Sequence, residues 1–302
     1  MATSLATLNR DFAIKDKLHF VEGAGGLLLA EVTTRHGKAT IALQGAHVMT
    51  FTPEGEHPVI WLSDFAKFGR GKSIRGGVPV CWPWFGPHVS DPKLPGHGYA
   101  RTVDWRLVQV QSLSEDRLRL EFELEESSAT RAQWPHRTPV RNIITVGRAL
   151  EVELVTTNAG DQPVTLGDAL HTYFKVGDVR TVTIHGLEGC DYLDKVDGGQ
   201  RKHQSGAVTI GQEVDRIYLN TGNSCEIRDP SLQRRIKISS SGSRSTVVWN
   251  PWIEKANKMG DFGPDGYLGM VCVETANAAE DVILLAPGQV HRLVARYEVA
   301  PL

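Results

Sequence analysis

Glu274 ends a stretch, Gly266 to Val273, that carries no charged side chain. A carboxylate in such company is costly unless it is paired or used. Burial would lift its pKa toward the range useful to a general base. The plain alternative is a strand-end glutamate turned to solvent. His171 lies inside Asp168-Ala-Leu-His-Thr-Tyr-Phe-Lys-Val176. A histidine among apolar and aromatic neighbours is commonly a satisfied core residue, yet imidazole also moves protons near neutral pH. Arg75, His97 and Arg101 are polar groups set among Trp82, Trp84, Phe85 and Tyr99, aromatics that could wall a pocket. Asp215, in Asp215-Arg-Ile-Tyr218, could bind a hydroxyl, although surface Asp-Arg pairs are common.

The segment that must place the arginines, Ile74 to Trp105, cannot be helical. Pro79, Pro83 and Pro87 each remove a backbone donor. Gly76-Gly77 permits backbone angles closed to other residues, or close approach to the main chain. Elsewhere period-two alternation recurs, in Leu118 to Leu124, Leu150 to Leu154, Val182 to Ile184 and Ile236 to Ile238. Thr40 to Met49 and Ser245 to Trp249 are strand-like in composition. Turn signals separate these runs: Asn158-Ala-Gly-Asp161, Asp197-Gly-Gly199, Asn220-Thr-Gly-Asn223 and Asp229-Pro230. Helical candidates are short, Ile253 to Met259 and Asp64 to Phe68. Many closely spaced strands with no linker predict one all-β domain over 1–302, a large antiparallel β-sandwich.

Apolar content of 41% and charged content of 23% are ordinary for a globular protein of 302 residues. A net charge of -2 argues against bulk nucleic-acid binding, which relies on a basic surface. Any anion must therefore be met by a local cluster. Cys81, Cys190, Cys225 and Cys272 are widely spaced, unlike a disulfide framework or a zinc site. No signal-peptide pattern or 18-residue apolar run is present, so a cytoplasmic protein without membrane contact is expected.

Two cofactor motifs fail on inspection. Gly71-Lys72-Ser73 resembles the end of a phosphate-binding loop, but the required first glycine is Ala66 and no helix can follow. Gly23-Ala-Gly-Gly26 lacks the third glycine of a dinucleotide fingerprint, which falls at Leu28. Neither a metal nor a nucleotide cofactor is indicated.

Taken in order, the motifs form a recognisable set. Ile74-Arg-Gly-Gly-Val-Pro-Val-Cys-Trp-Pro-Trp-Phe-Gly-Pro87, Leu94-Pro-Gly-His-Gly-Tyr-Ala-Arg101, Leu170-His-Thr-Tyr-Phe174, Asp215-Arg-Ile-Tyr218 and Val273-Glu-Thr-Ala-Asn277 resemble those of hexose-6-phosphate mutarotases. These glucose-6-phosphate 1-epimerases belong to the aldose 1-epimerase superfamily, and the likeness spans about Val21 to Tyr297. The resemblance implies a galactose-mutarotase-like supersandwich and a cofactor-free exchange of hexose 6-phosphate anomers. It implies His171 as general acid and Glu274 as general base. By the same likeness Arg75 and Arg101 hold phosphate, Asp215 binds a sugar hydroxyl and His97 lines the site. The expected partner is the small hexose phosphate, and the expected state a monomer or weak dimer. One departure is Gly96, where some relatives carry glutamine.

The chemistry accounts for these residue types. Mutarotation needs one group to take the anomeric hydroxyl proton while another protonates the ring oxygen. A carboxylate and an imidazolium can do both and exchange roles on closure. A nearby carboxylate would favour the charged histidine. Paired arginines suit phosphate because each guanidinium can meet two oxygens in a fixed fork. Two other readings remain at this point: an epimerase of free sugars, and a non-catalytic carbohydrate-binding sandwich.

Overall fold

The structure is a computed structural model and describes residues 4–302. Its two main sheets are antiparallel throughout, as the alternating runs predict. The larger has nine strands, in spatial order Val208–Thr209, Thr183–His185, Ser224–Asp229, Arg234–Ser241, Val290–Pro301, Leu150–Thr157, Val140–Val146, Arg117–Leu124 and Trp105–Ser114. We call it the scaffold sheet. The other, the site sheet, has eight strands. It runs Gln200–His203, Asp191–Asp194, Val214–Leu219, Ser245–Asn250, Met270–Ala276, Ala169–Leu170 and Val80–Cys81, with Tyr173–Lys175 also paired to Met270–Ala276. A four-stranded meander, Leu18–Glu22 to His47–Pro53, and a small two-stranded pair complete the strands.

The two sheets share one core. Val152, Leu154, Leu293 and Ala295 from the scaffold sheet cluster with Val248, Val271 and Val273 from the site sheet. Each fully buried side chain of this kind contributes roughly 1.5–3 kcal/mol of transfer free energy. Register fixes which face each residue takes. Val248 stands opposite Val273 on the core face, while Val247 opposes Glu274 and Trp249 opposes Cys272 on the other.

Local structure departs from the sequence expectations at identifiable places. The run Thr40 to Met49 is two strands, Gly37–Ala42 and His47–Pro53, separated by a turn. Gly45 makes that turn at φ 77°, where an added Cβ would stand 2.9 Å from the Arg101 carbonyl oxygen. Asp64 to Phe68 is not a helix. Ser63 Oγ accepts from the Phe65 N–H at 3.1 Å, so the segment turns instead. Trp252–Met259 is helical, as expected for Ile253 to Met259, and ends on Gly260 at φ 67°. Two further helices, Leu5–Phe12 and Ser128–Gln133, carry serine N-caps at Ser4 and Ser127. Among the described residues no helix is long and apolar enough to cross a membrane. All four cysteines are free.

Candidate active site

Glu274 sits in the middle of the site sheet, on a strand buried at every position from Met270 to Ala276. Val271 and Val273 point into the shared core, so Cys272 and Glu274 must leave the opposite face. That face is the floor of a cavity of about 540 Å³. His171 follows the short strand Ala169–Leu170, which pairs with the Glu274 strand. Its backbone N–H is held by the Pro79 carbonyl at 3.0 Å. The result is His171 Nδ1 3.4 Å from Glu274 Oε1, both side chains almost wholly buried.

The cavity gathers all of the expected residues: Arg75, His97, Arg101, His171, Asp215 and Glu274. The Gly76-Gly77 pair explains the placing of Arg75. Gly77 adopts φ 75°, and a Cβ there would lie 2.1 Å from His47 Nε2, so only glycine lets the loop pass. Arg75 is fixed on several sides. Its Nε donates to Asp261 Oδ1 at 3.0 Å, its Nη1 to the Tyr173 hydroxyl at 2.9 Å, and its guanidinium lies 5.1 Å over the Phe262 ring. Arg101 Nη2 donates to the Gly96 carbonyl at 2.9 Å. Thus Gly96 offers its backbone to the arginine. Lys255 Nζ lies 2.7 Å from Glu213 Oε1 and 3.6 Å from Asp215 Oδ2.

Electrostatics in the cavity oppose charge on the acid–base pair. Burial, reinforced by Asp215, holds the Glu274 carboxyl well above the usual carboxylate range. Burial, then His97, Arg101 and Arg75, holds the His171 imidazole well below its ordinary value. The expectation that the carboxylate would favour an imidazolium is therefore reversed here, because burial and the arginine charges outweigh it. His97 is pushed down to about 4, chiefly by burial and then by Arg101 and Arg75. The Gly86 N–H donates to His97 Nδ1 at 3.3 Å, as a neutral ring allows. Asp215 is raised by burial, with Lys255 and Lys195 opposing.

The aromatic walls are not those expected. Trp82, Trp84 and Tyr99 are buried in the main core, and only Phe85 of that group reaches the cavity. Their work is structural: Trp82 Nε1 donates to Thr156 Oγ1 at 3.1 Å, and Trp84 Nε1 to the Pro95 carbonyl at 2.9 Å. The walls beside the acid–base pair are instead Tyr173 and Trp249. Tyr173 stacks on His171 with centroids 4.9 Å apart and planes 10° from parallel. Trp249 meets both rings edge-on at 5.9 Å. Spacing could have found Tyr173, two residues beyond His171; nothing local marked Trp249, Lys255 or Asp261. The His291 side chain is largely buried, with Nε2 2.9 Å from Asn277 Oδ1 and 3.9 Å from the buried Asp168 carboxylate.

Comparison with known proteins identifies the family. The family model for aldose 1-epimerase matches residues 29–298. A protein of Escherichia coli K12 provisionally named glucose-6-phosphate 1-epimerase is 42% identical over 80% of this chain and 81% of its own. One of the same provisional name from Cenchrus ciliaris is 33% identical over 83% and 78% of the two chains. The crystal structure of a provisionally named mutarotase from Salmonella typhimurium superposes with TM-score 0.89 at 36% identity, covering 96% of each chain. The match over residues 29–298, with relatives more than 30% identical over most of both chains, shows that the chain belongs to the aldose 1-epimerase family.

Proposed function

We propose that the protein interconverts the α and β anomers of a hexose 6-phosphate, with glucose 6-phosphate as the foremost substrate. The observation that carries the reading is the His171–Glu274 pair, 3.4 Å apart on the floor of a cavity that Arg75 and Arg101 also line. The relatives named for glucose 6-phosphate supply the substrate class.

The pair can share one proton in two ways. With the cavity free of substrate, burial favours the neutral form, a protonated Glu274 beside a neutral His171. Moving that proton onto His171 gives the carboxylate and imidazolium that ring opening needs. Glu274 then accepts the proton of the anomeric hydroxyl while His171 protonates the ring oxygen, and the C1–O5 bond opens to the aldehyde. Rotation about C1–C2 and the reverse transfers close the ring on the other face. A phosphate between Arg75 and Arg101 offsets the positive charge that depresses His171, and so favours the reactive form. Asp215, steadied by Lys255, is placed for a sugar hydroxyl, and His97 offers a neutral ring to the substrate. The reading gives this chain a single all-β domain over 1–302.

One observation favours free sugars instead. Arg75 already meets Asp261 and Tyr173, so part of its charge is spent within the protein. The deciding experiment is anomer exchange of glucose 6-phosphate and of free glucose, followed by NMR with purified protein. Faster exchange of the phosphorylated sugar supports the proposal; equal or faster exchange of glucose overturns it.

A further inference from the structure

Cys272 takes no part in that chemistry, yet it lies beside the groups that do. It stands two residues before Glu274 on the same strand, so its thiol leaves the same face. Its Sγ, His171 Nδ1 and a Glu274 oxygen all lie within 4.8 Å of one another. All three residues are buried. Glu274 Oε2 is buried without a hydrogen-bond partner, and His171 Nδ1 has only a long, poorly aligned approach to Glu274 Oε1 at 3.4 Å. Unpaired buried acceptors of this kind are costly and call for an occupant.

We propose that His171, Cys272 and Glu274 form an inhibitory site for a thiophilic divalent cation, with Zn²⁺ as the natural occupant. Imidazole, thiolate and carboxylate are a borderline-soft donor set that suits Zn²⁺ and excludes Mg²⁺ and Ca²⁺. Zinc–ligand bonds of about 2.0–2.3 Å set tetrahedral donors roughly 3.3–3.7 Å apart. The His171–Glu274 pair already meets that spacing at 3.4 Å. The widest separation must close by roughly 1 Å, within reach of side-chain torsions. On binding, the proton of the Cys272 thiol and any proton on Glu274 pass to solvent, the sulfur stays on the metal as thiolate, and no electron moves. Three protein ligands leave the fourth position facing the cavity. The ion then occupies both groups of the acid–base pair, so anomer exchange stops. This inference rests on the catalytic reading of His171 and Glu274.

The test uses the intact chain, with Cd²⁺ as an optical probe and Zn²⁺ as the inhibitor. Cd²⁺ should bind one per chain and give a thiolate-to-metal charge-transfer band in the ultraviolet. Zn²⁺ should slow glucose 6-phosphate anomer exchange at least ~10-fold. Cys272→Ser should lose the band, keep metal-free exchange within a few-fold of wild type, and need at least ~10-fold more Zn²⁺ for the same inhibition. Cys272→Ala serves where serine disturbs packing. Cys190→Ser, at the half-exposed cysteine, should change nothing. No band in wild type, or a band or inhibition unaltered in Cys272→Ser, overturns the site. A Cys272-dependent band with undiminished exchange overturns the inhibition. In that event Glu274→Gln decides where the failure lies: a large loss confines it to the metal proposal, and normal exchange removes the catalytic reading as well.

Discussion

The scaffold sheet and the site sheet solve different problems with the same antiparallel ladder. In Leu150–Thr157 of the scaffold sheet, burial alternates strictly, with Leu150, Val152, Leu154 and Thr156 inward and the glutamates between them outward. In Ser245–Asn250 and Met270–Ala276 of the site sheet, every residue is buried. One face of those strands packs on the core and the other is roofed by the cavity walls. A face removed from both water and core can hold a protonated carboxyl, a neutral imidazole and a thiol. The cost of doing so is carried by the valines behind them.

Substitutions on neighbouring residues should separate the two faces. Glu274→Gln should reduce anomer exchange by roughly 10²–10⁴-fold, the range for a positioned acid or base. Its thermal midpoint should stay at or above wild type, since a buried carboxyl has been removed. Exchange by NMR and a melting curve on the same sample check both. Val273→Ala, one position away on the core face, should do the opposite. It should cost about 1.5–3 kcal/mol of stability and leave exchange within a few-fold. If Val273→Ala abolished exchange in folded protein, the division between faces would fail.

The arginines sharpen the comparison from the cavity rim. Arg75→Ala or Arg101→Ala should lower catalytic efficiency on glucose 6-phosphate by about 10–100-fold, the worth of one charge-assisted hydrogen bond. Efficiency on free glucose should barely change. Lysine at either position should recover part of the loss, because it keeps charge without the fork. The measured quantity is the ratio of efficiencies for the two sugars, and a constant ratio would exclude phosphate reading.

The smallest effect lies behind the cavity, at Asp168. Burial lifts this carboxyl to about 7, and neither of its oxygens has a hydrogen-bond partner. Its folded pKa is above its unfolded value, so the folded state binds the extra proton between them. Stability from this group is therefore greatest at low pH and falls as pH rises toward 7. Asp168→Asn should remove that fall, gaining about 1–2 kcal/mol over wild type at pH ~8 relative to pH ~5.5. Denaturant melts at the two pH values check it; parallel curves for the two proteins would count against a buried, proton-binding Asp168.

The same contrast explains what the sequence discloses. Strands such as Leu118 to Leu124 are legible because water on one face imposes period two. Glu274 and His171 are legible for the reverse reason, as ionisable groups inside segments with no need of them. Arg75, His97 and Arg101 stand out as polar groups among aromatics. What stays hidden is whatever depends on distant pairing. Asp261 meets Arg75 across 186 residues of chain, and no local pattern announces it. Cys272 looks like any buried thiol until His171 is brought beside it. Trp82 and Trp84 misled because aromatic density marks a core as readily as a binding wall. Thr40 to Met49 is strand-like in composition and lies in strands on both sides, but composition does not show the turn at Gly45 that divides it.

The scaffold sheet has one further consequence, in the order of events along time. Its last strand in sequence, Val290–Pro301, lies between Arg234–Ser241 and Leu150–Thr157 and pairs with both. Without it the sheet is two separate halves, each ending in an unpaired edge. During synthesis neither half can close on the other until Val290–Pro301 has left the ribosome. The fold is therefore completed late, by long-range contacts that are slow to form. Until that strand is inserted, two exposed strand edges wait as templates for wrong partners. The scaffold sheet thus depends most, during its making, on prompt delivery of the strand Val290–Pro301.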